Sequence, residues 1–422
     1  MAKPEDTLLG PYRVLDLTNE RGLLCGKLLG EIGADVIKVE PPGGDPARDI
    51  PPFYKDDPDR EKGLTWFFTN MYKRGITLNL ETTEGRDIFK KLLQKTDIVV
   101  ESFEPGYMES IGLGYADLKK IKPDIILTSI TPFGQTGPYA HYRVTDIVGV
   151  SMGGWTRTSG EMGGPPNRLS SPQFYLLGGL HGAAGTMTAL YHREMTGEGQ
   201  HVDVSCQEAV VLSLMVVVEI FDMFKYSYRG MGGNYAGARP DGTILFSRIM
   251  FPCKDGYVFS FVTGASQAGM VQSSKILVEM ANREGLALEL RDYPWQEIDV
   301  ATISQEELIR ITGHIADFML TKTKSELFEA AITRGVLLCP INTVEEVVHS
   351  EQLKARDFWQ QVAHPELNDT ITYPGYPIKL SEDVRPDEPL RAPLIGEHNA
   401  EIYAELGISD ARLAELKTAG VI

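Results

Sequence analysis

Covalent catalysis on acyl groups calls for a carboxylate, a thiol or an activated hydroxyl, and one stretch of this chain is bare of carboxylates. Between Glu161 and Glu194 there is no aspartate or glutamate, although the sequence holds 58 of them. Within this gap the segment Arg168–Leu180 offers hydroxyls, Tyr175 among them, and a phenol with its ordinary pKa near 10 is a poor nucleophile at pH 7. Cys25, Cys206, Cys253 and Cys339 are scattered, with no Cys-x-x-Cys and no paired histidines, so neither a disulfide framework nor a structural metal site is expected and a reducing cytoplasm fits. The net charge of −17 opposes nucleic-acid binding. An anionic small ligand is compatible with it only where Lys and Arg are locally concentrated.

The elements that would position such groups read as α/β. At 422 residues the chain exceeds one ordinary core, so two or more lobes are expected. Its 42% hydrophobic and 23% charged content is that of a globular protein. No N-terminal stretch has the pattern of an export signal. The most apolar run, Ala209–Val218, falls short of the ~20 residues a bilayer span needs. Arg13–Thr18 reads as a strand, Gly22–Ile32 as a helix stopped by Gly33, and Ala34–Glu40 as the next strand, which makes one βαβ unit. Strands are also expected at Ile76–Leu80, Asp97–Glu101 and Ile125–Ser129, with a helix over Thr83–Lys95 capped near Thr82. Parallel pairing into a Rossmann-like sheet follows. Gly22–Gly33 is not a Gly-x-Gly-x-x-Gly fingerprint, which argues against a dinucleotide. Further on, the pattern predicts a helix from Phe174 to Glu194 ending at Gly197, a strand at His201–Ser205 and one long helix over Gln207–Tyr228. Gly230–Gly237 reads as a flexible junction. From about Ile249 to Gly335 a small α+β lobe is expected, with two strands around Cys253–Gly256. Loops follow from Pro340, and two short helices close the chain.

Several blocks in series resemble the class III CoA-transferase family, the group of formyl-CoA and carnitine CoA-transferases that also includes α-methylacyl-CoA racemases. They are Val14–Thr18, Gly33–Glu40 with Gly43–Arg48, Lys73-Arg74 before Thr77-Leu78, Asp97–Glu101 with Phe103–Gly106, and Phe133–Tyr139. His192–Gln200, Asn342-Thr343, His364–Leu367 and Gly396–His398 complete the series. The resemblance implies a Rossmann-like large domain built from both termini (1–228 and 341–422), a small α+β domain with a glycine-rich linker (229–340), and an interlocked dimer. The Gln207–Tyr228 helix would then supply core and subunit interface.

The chemistry implied is transfer of CoA from an acyl-CoA to an organic acid, with acyl-CoA as substrate and no tightly bound cofactor. The family's nucleophile is an aspartate, which becomes a mixed anhydride and then carries CoA as a thioester. Matching on Gly178–Leu180 and His192–Glu194 places that position on Tyr175, and no phenol can form an acyl-CoA thioester. Glu161 lies well up the chain from it. The racemase branch needs a paired His and Asp, and those positions read Thr145-Asp146 and Tyr175. For CoA binding, the resemblance points to Lys73 and Arg143 as cations for phosphates and to Phe103 near the adenine. Plainer readings are a solvated charge for Lys73 and core packing for Phe103 and Tyr175. The loop Asn19–Leu24 departs from the family pattern: Glu20 adds negative charge, while Arg21 is a candidate clamp for a phosphate or a substrate carboxylate. Ser110-Ile111 removes a cation that is frequent there. Gly232–Pro240 resembles the family's mobile glycine loop, with Arg239 in place of Gly or Gln.

The expectation is therefore a subunit without its own aspartate, working with a homologous catalytic subunit that keeps one. Within the family this resembles the two-subunit succinyl-CoA:(R)-benzylsuccinate type of anaerobic toluene degradation. Phe133, Trp155, Phe174 and Tyr175 are compatible with a benzyl-bearing acid. The alternatives are an acyl-CoA-binding enzyme of other chemistry that uses Tyr175 or Glu161 as acid or base, and a non-enzymatic CoA-binding scaffold.

Overall fold

In the computed structural model residues 7–239, 243–262, 268–299, 302–382, 385–386 and 388–422 are described. The chain forms two compact units, one from Met1–Trp155, Leu169–Met215 and Ala355–Ile422, the other from Thr156–Arg168 and Val216–Lys354.

The first unit is built on six parallel strands: β1 (Arg13–Leu17), β2 (Asp35–Glu40), β3 (Lys73–Thr77), β4 (Ile98–Glu101), β5 (Ile126–Thr131) and β6 (His201–Ser205). Their order is β3-β2-β1-β4-β5-β6, with Val14 opposite both Val36 and Ile98. Both faces are covered, which is why these strands read as near-continuous apolar runs. Leu15, Ile37, Ile76, Val99 and Leu127 pack with Phe89, Leu92 and Tyr403 on one face. Val14, Val36, Ile98, Ile126 and Ile130 pack with Cys25, Leu29 and Phe174 on the other. From β3 the chain returns to the far side of β1 to begin β4. The strand order therefore reverses between β1 and β4, and their carboxyl-end loops flank the crevice where open α/β sheets bind ligands.

The C-terminal segment completes this sheet. Asn399 Oδ1 accepts from Thr77 N at 2.9 Å, and the Tyr403 hydroxyl donates to Thr77 O at 2.6 Å. The early helix spans Leu23–Glu31, and Thr82 Oγ1 caps the Thr83–Leu93 helix by accepting from Gly85 N at 3.0 Å. The helix Phe174–Thr196 ends at Gly197, which takes the left-handed conformation (φ 78°).

Three expectations need correction. β3 starts at Lys73, three residues before the expected Ile76, because Lys73 is neutralised inside the core. The expected long helix is two, Cys206–Ser213 and Val217–Phe224. Met215 between them has φ 54°, and the β-branched residues Val216–Val218 do little to bridge such a break. Residues Trp359–His364 and Asp369–Pro374 pair as an antiparallel hairpin where loops were expected.

In the second unit Met250–Cys253, Gly256–Ser260 and Leu338–Ile341 form an antiparallel sheet. Its core joins Phe251 and Val258 to Leu277, Ile311, Phe318 and Leu327 of the helices Ala268–Arg283, Gln305–Met319 and Lys324–Arg334. The glycine-rich stretch is partly a strand here: Asn234–Ala238 pairs with Ile244–Arg248. Pro240 lies outside the described residues.

Candidate active site

Tyr175 sits in the first turn of the helix Phe174–Thr196, and three hydrogen bonds from one short segment fix it there. Asp146 Oδ1 accepts from Gln173 N and Phe174 N, both at 2.8 Å, so this carboxylate caps a helix that begins 28 residues downstream. The Tyr175 hydroxyl donates to Val144 O at 2.6 Å. Phe174 is fully buried against Gly149, where a Cβ would lie 2.4 Å from its ring. Burial is the main cause that pushes the Tyr175 phenol up to about 12, outweighing the nearby Arg21 cation. At neutral pH the hydroxyl is therefore protonated and already engaged. Neither a nucleophile nor a base is prepared here.

The β1 and β4 loops meet across the switch-point crevice. Asn19 N donates to Ser102 Oγ and Ser102 Oγ to Asn19 Oδ1, each at 2.9 Å. Beyond that link, Arg21 Nη1 lies 3.0 Å from Glu104 Oε1, and the same oxygen lies 3.8 Å from Arg143 Nε. The Arg21 side chain is 13% exposed and Arg143 84%. Arg21 Nε is buried without a hydrogen-bond partner. The crevice thus brings together Arg21, Arg143 and Tyr175, three of the residues singled out in the sequence.

Phe103 is half-buried against the sheet core, its ring 4.6 Å from that of Tyr107. Its backbone N–H donates to Glu101 Oε2 at 2.6 Å. Glu101, at the end of β4, is buried enough that desolvation raises its carboxyl to about 7, against hydrogen bonds from Ser129 and Phe103 that lower it. Sequence patterns alone did not single out Glu101, Glu104 or the capping role of Asp146. The signal available for Glu104 is the unusual Arg21, a buried cation that requires an anion nearby.

Lys73 does not join the site. Its Nζ makes hydrogen bonds to Asp16 Oδ2 at 2.7 Å, Leu23 O at 2.8 Å and Asn70 Oδ1 at 3.0 Å. All three ammonium protons are committed, and both members of the Lys73–Asp16 pair are fully buried. For the phosphate role expected from the family resemblance, the Lys73 ammonium has no uncommitted proton in this arrangement. Glu161 belongs to the second unit, where it packs on Gly232: a Cβ there would come within 2.2 Å of Glu161 Oε2. Among the described residues no group of His, Cys, Asp and Glu is arranged to hold a metal ion, and no helix is long and apolar enough to cross a membrane.

Known proteins are similar to this chain over nearly its whole length. Residues 9–399 match the sequence profile of CoA-transferase family III. The chain is 32% identical over 412 residues to succinyl-CoA:(R)-benzylsuccinate CoA-transferase subunit BbsE of Thauera aromatica, covering 97% of both sequences. It is 33% identical to the formyl-CoA:oxalate CoA-transferase of Streptomyces avermitilis, covering 97% of this chain and 98% of that one. A crystal structure of a CAIB/BAIF family protein from Brucella suis superposes with a TM-score of 0.77 at 29% identity, covering 95% of this chain and 99% of that one. These matches place the chain in CoA-transferase family III, whose substrates are coenzyme A thioesters.

Proposed function

We propose that this chain is the subunit lacking the catalytic aspartate in a heteromeric class III CoA-transferase. The assembly moves CoA from an acyl-CoA such as succinyl-CoA to an organic acid, with (R)-benzylsuccinate the leading candidate. The observation that carries this is Tyr175: a protonated phenol, bonded to Val144 O, at the position the family resemblance gives to the nucleophile. In the family route an aspartate attacks the donor thioester and releases CoA thiolate. The thiolate then attacks the resulting anhydride at the aspartyl carbonyl, freeing the donor acid and leaving CoA on the protein. The acceptor carboxylate repeats the exchange in reverse. Only a carboxyl can be the carrier in that sequence, so the aspartate must come from a homologous partner subunit.

Two further features support a partner. The relative from Thauera aromatica is itself named as a subunit. In the first unit Leu180, Tyr191, Met195, Leu212 and Met215 are exposed, and in the second so are Val216, Val218, Phe221, Met223 and Phe224. The Val217–Phe224 helix buries none of its residues. Apolar surfaces of this kind mark protein contacts, and an interlocked dimer would cover them. The competing use of Tyr175 as an acid or base is disfavoured by its engaged hydroxyl and raised pKa.

The test is turnover of succinyl-CoA and a free acid by the purified chain, alone and after co-expression with its homologous partner. Activity is expected only from the pair. Transferase turnover by the single chain would sink the proposal.

A further inference from the structure

Glu104 is a carboxylate held between two guanidinium groups at the crevice where a CoA ester would lie. It pairs with Arg21 at 3.0 Å and Arg143 at 3.8 Å through the same oxygen, Oε1. Arg21 cannot shed its charge, and at 13% exposure it needs an anion beside it. Glu104 reaches only Nη1, leaving the buried Nε–H of Arg21 without a partner. A carboxylate that entered along the Nε edge would make the two parallel hydrogen bonds that a guanidinium fork is shaped for. Arg143 is 84% exposed and Glu104 33%, so both can swing away while Arg21 stays fixed.

We propose that Arg21 and Arg143 form a clamp for the free carboxylate of a dicarboxylic acyl group, which docks on the open Nε edge of Arg21 and draws the exposed Arg143 away from Glu104. The substrate class rests on the proposed CoA-transferase function. Of the acids named for the two relatives, succinate, benzylsuccinate and oxalate are dicarboxylic and formate is not; each dicarboxylic acid keeps one free carboxylate when it is bound as a CoA thioester. The clamp holds the ligand beside Tyr175 and no bond is made or broken, so the site binds without transferring. Arg21 and Glu104 are then specificity determinants.

The test compares succinyl-CoA with butyryl-CoA, which has the same number of acyl carbons and lacks the second carboxylate. Binding is measured by calorimetry on the full chain in its native assembly. Succinyl-CoA should bind at least about 10-fold more tightly, the range of one charge-assisted contact. Arg21→Gln should erase that difference and leave butyryl-CoA unchanged. Glu104→Gln, which frees Arg143 and removes a negative charge beside the docking edge, should raise succinyl-CoA affinity several-fold. Melting curves establish that each variant is folded, and Arg143→Gln provides a milder second probe that reduces the preference in part. Equal affinity for the two esters in the native chain would overturn the clamp. So would an Arg21→Gln variant that weakens both esters equally, since Arg21 would then contact a phosphate of CoA. Binding of neither ester would overturn the clamp together with the CoA-binding function on which it rests.

Discussion

Replacing Lys73 by Met separates a structural lysine from a phosphate-binding one. Methionine retains most of the aliphatic stem, so little packing is lost, while Asp16 is left fully buried without its nearest cation. Breaking a buried ion pair from one side typically costs about 3–5 kcal/mol. Lys38 lies near Asp16, and Asp16 also accepts from Thr18 N at 2.9 Å and Thr18 Oγ1 at 2.6 Å, so the lower end of that range applies. Adding Asp16→Asn to Lys73→Met removes the stranded charge and should recover about 1–2 kcal/mol. The assay is urea denaturation of the full chain followed by circular dichroism, with CoA-ester affinity measured in parallel. The reasoning is refuted if Lys73→Met changes stability by less than about 0.5 kcal/mol, the range of an ordinary surface substitution, while CoA affinity falls.

Asp146→Ala removes the acceptor for Gln173 N and Phe174 N, and should cost about 1–2 kcal/mol. Asp146→Asn, which keeps an acceptor oxygen, should lose less; equal losses in the two variants would contradict the cap. Glu101 gives a pH signature. Its carboxyl is raised to about 7 from an ordinary 4.5, so the folded state takes up a proton that the unfolded state does not as pH falls through that window. Stability should rise by up to about 3 kcal/mol as pH drops from 7 to 4.5 and level off below, and Glu101→Gln should flatten the slope there. An unchanged slope in that variant would place the titration elsewhere.

The parallel sheet was legible because both of its faces are covered, which turns β1, β2, β4 and β5 into apolar runs bounded by helix patterns. The start of β3 was not: a lysine and an arginine read as solvent-facing, and only the distant Asp16 makes Lys73 a core residue. The helix break at Met215 is hidden for a related reason, since an apolar run carries no mark of where the backbone turns left-handed. At the candidate site the sequence singled out Arg21, Arg143 and Tyr175 but could not bring them together. Arg21 meets Glu104 only because the strand order reverses between β1 and β4, and that order is a property of the folded sheet. The cap from Asp146 to the Phe174–Thr196 helix is likewise a contact across loops, out of reach of a local capping pattern.

The central claim is that the carboxyl carrying CoA belongs to the partner and not to this chain. The most direct measurement is to incubate the co-purified pair with succinyl-CoA, trap the covalent intermediate with hydroxylamine or borohydride, and locate the modified residue by mass spectrometry. The modification is expected on an aspartate of the partner, with this chain unmodified and Tyr175→Asp not abolishing turnover of the pair. A trapped adduct on this chain, at Glu161 or any other carboxylate, would contradict the account.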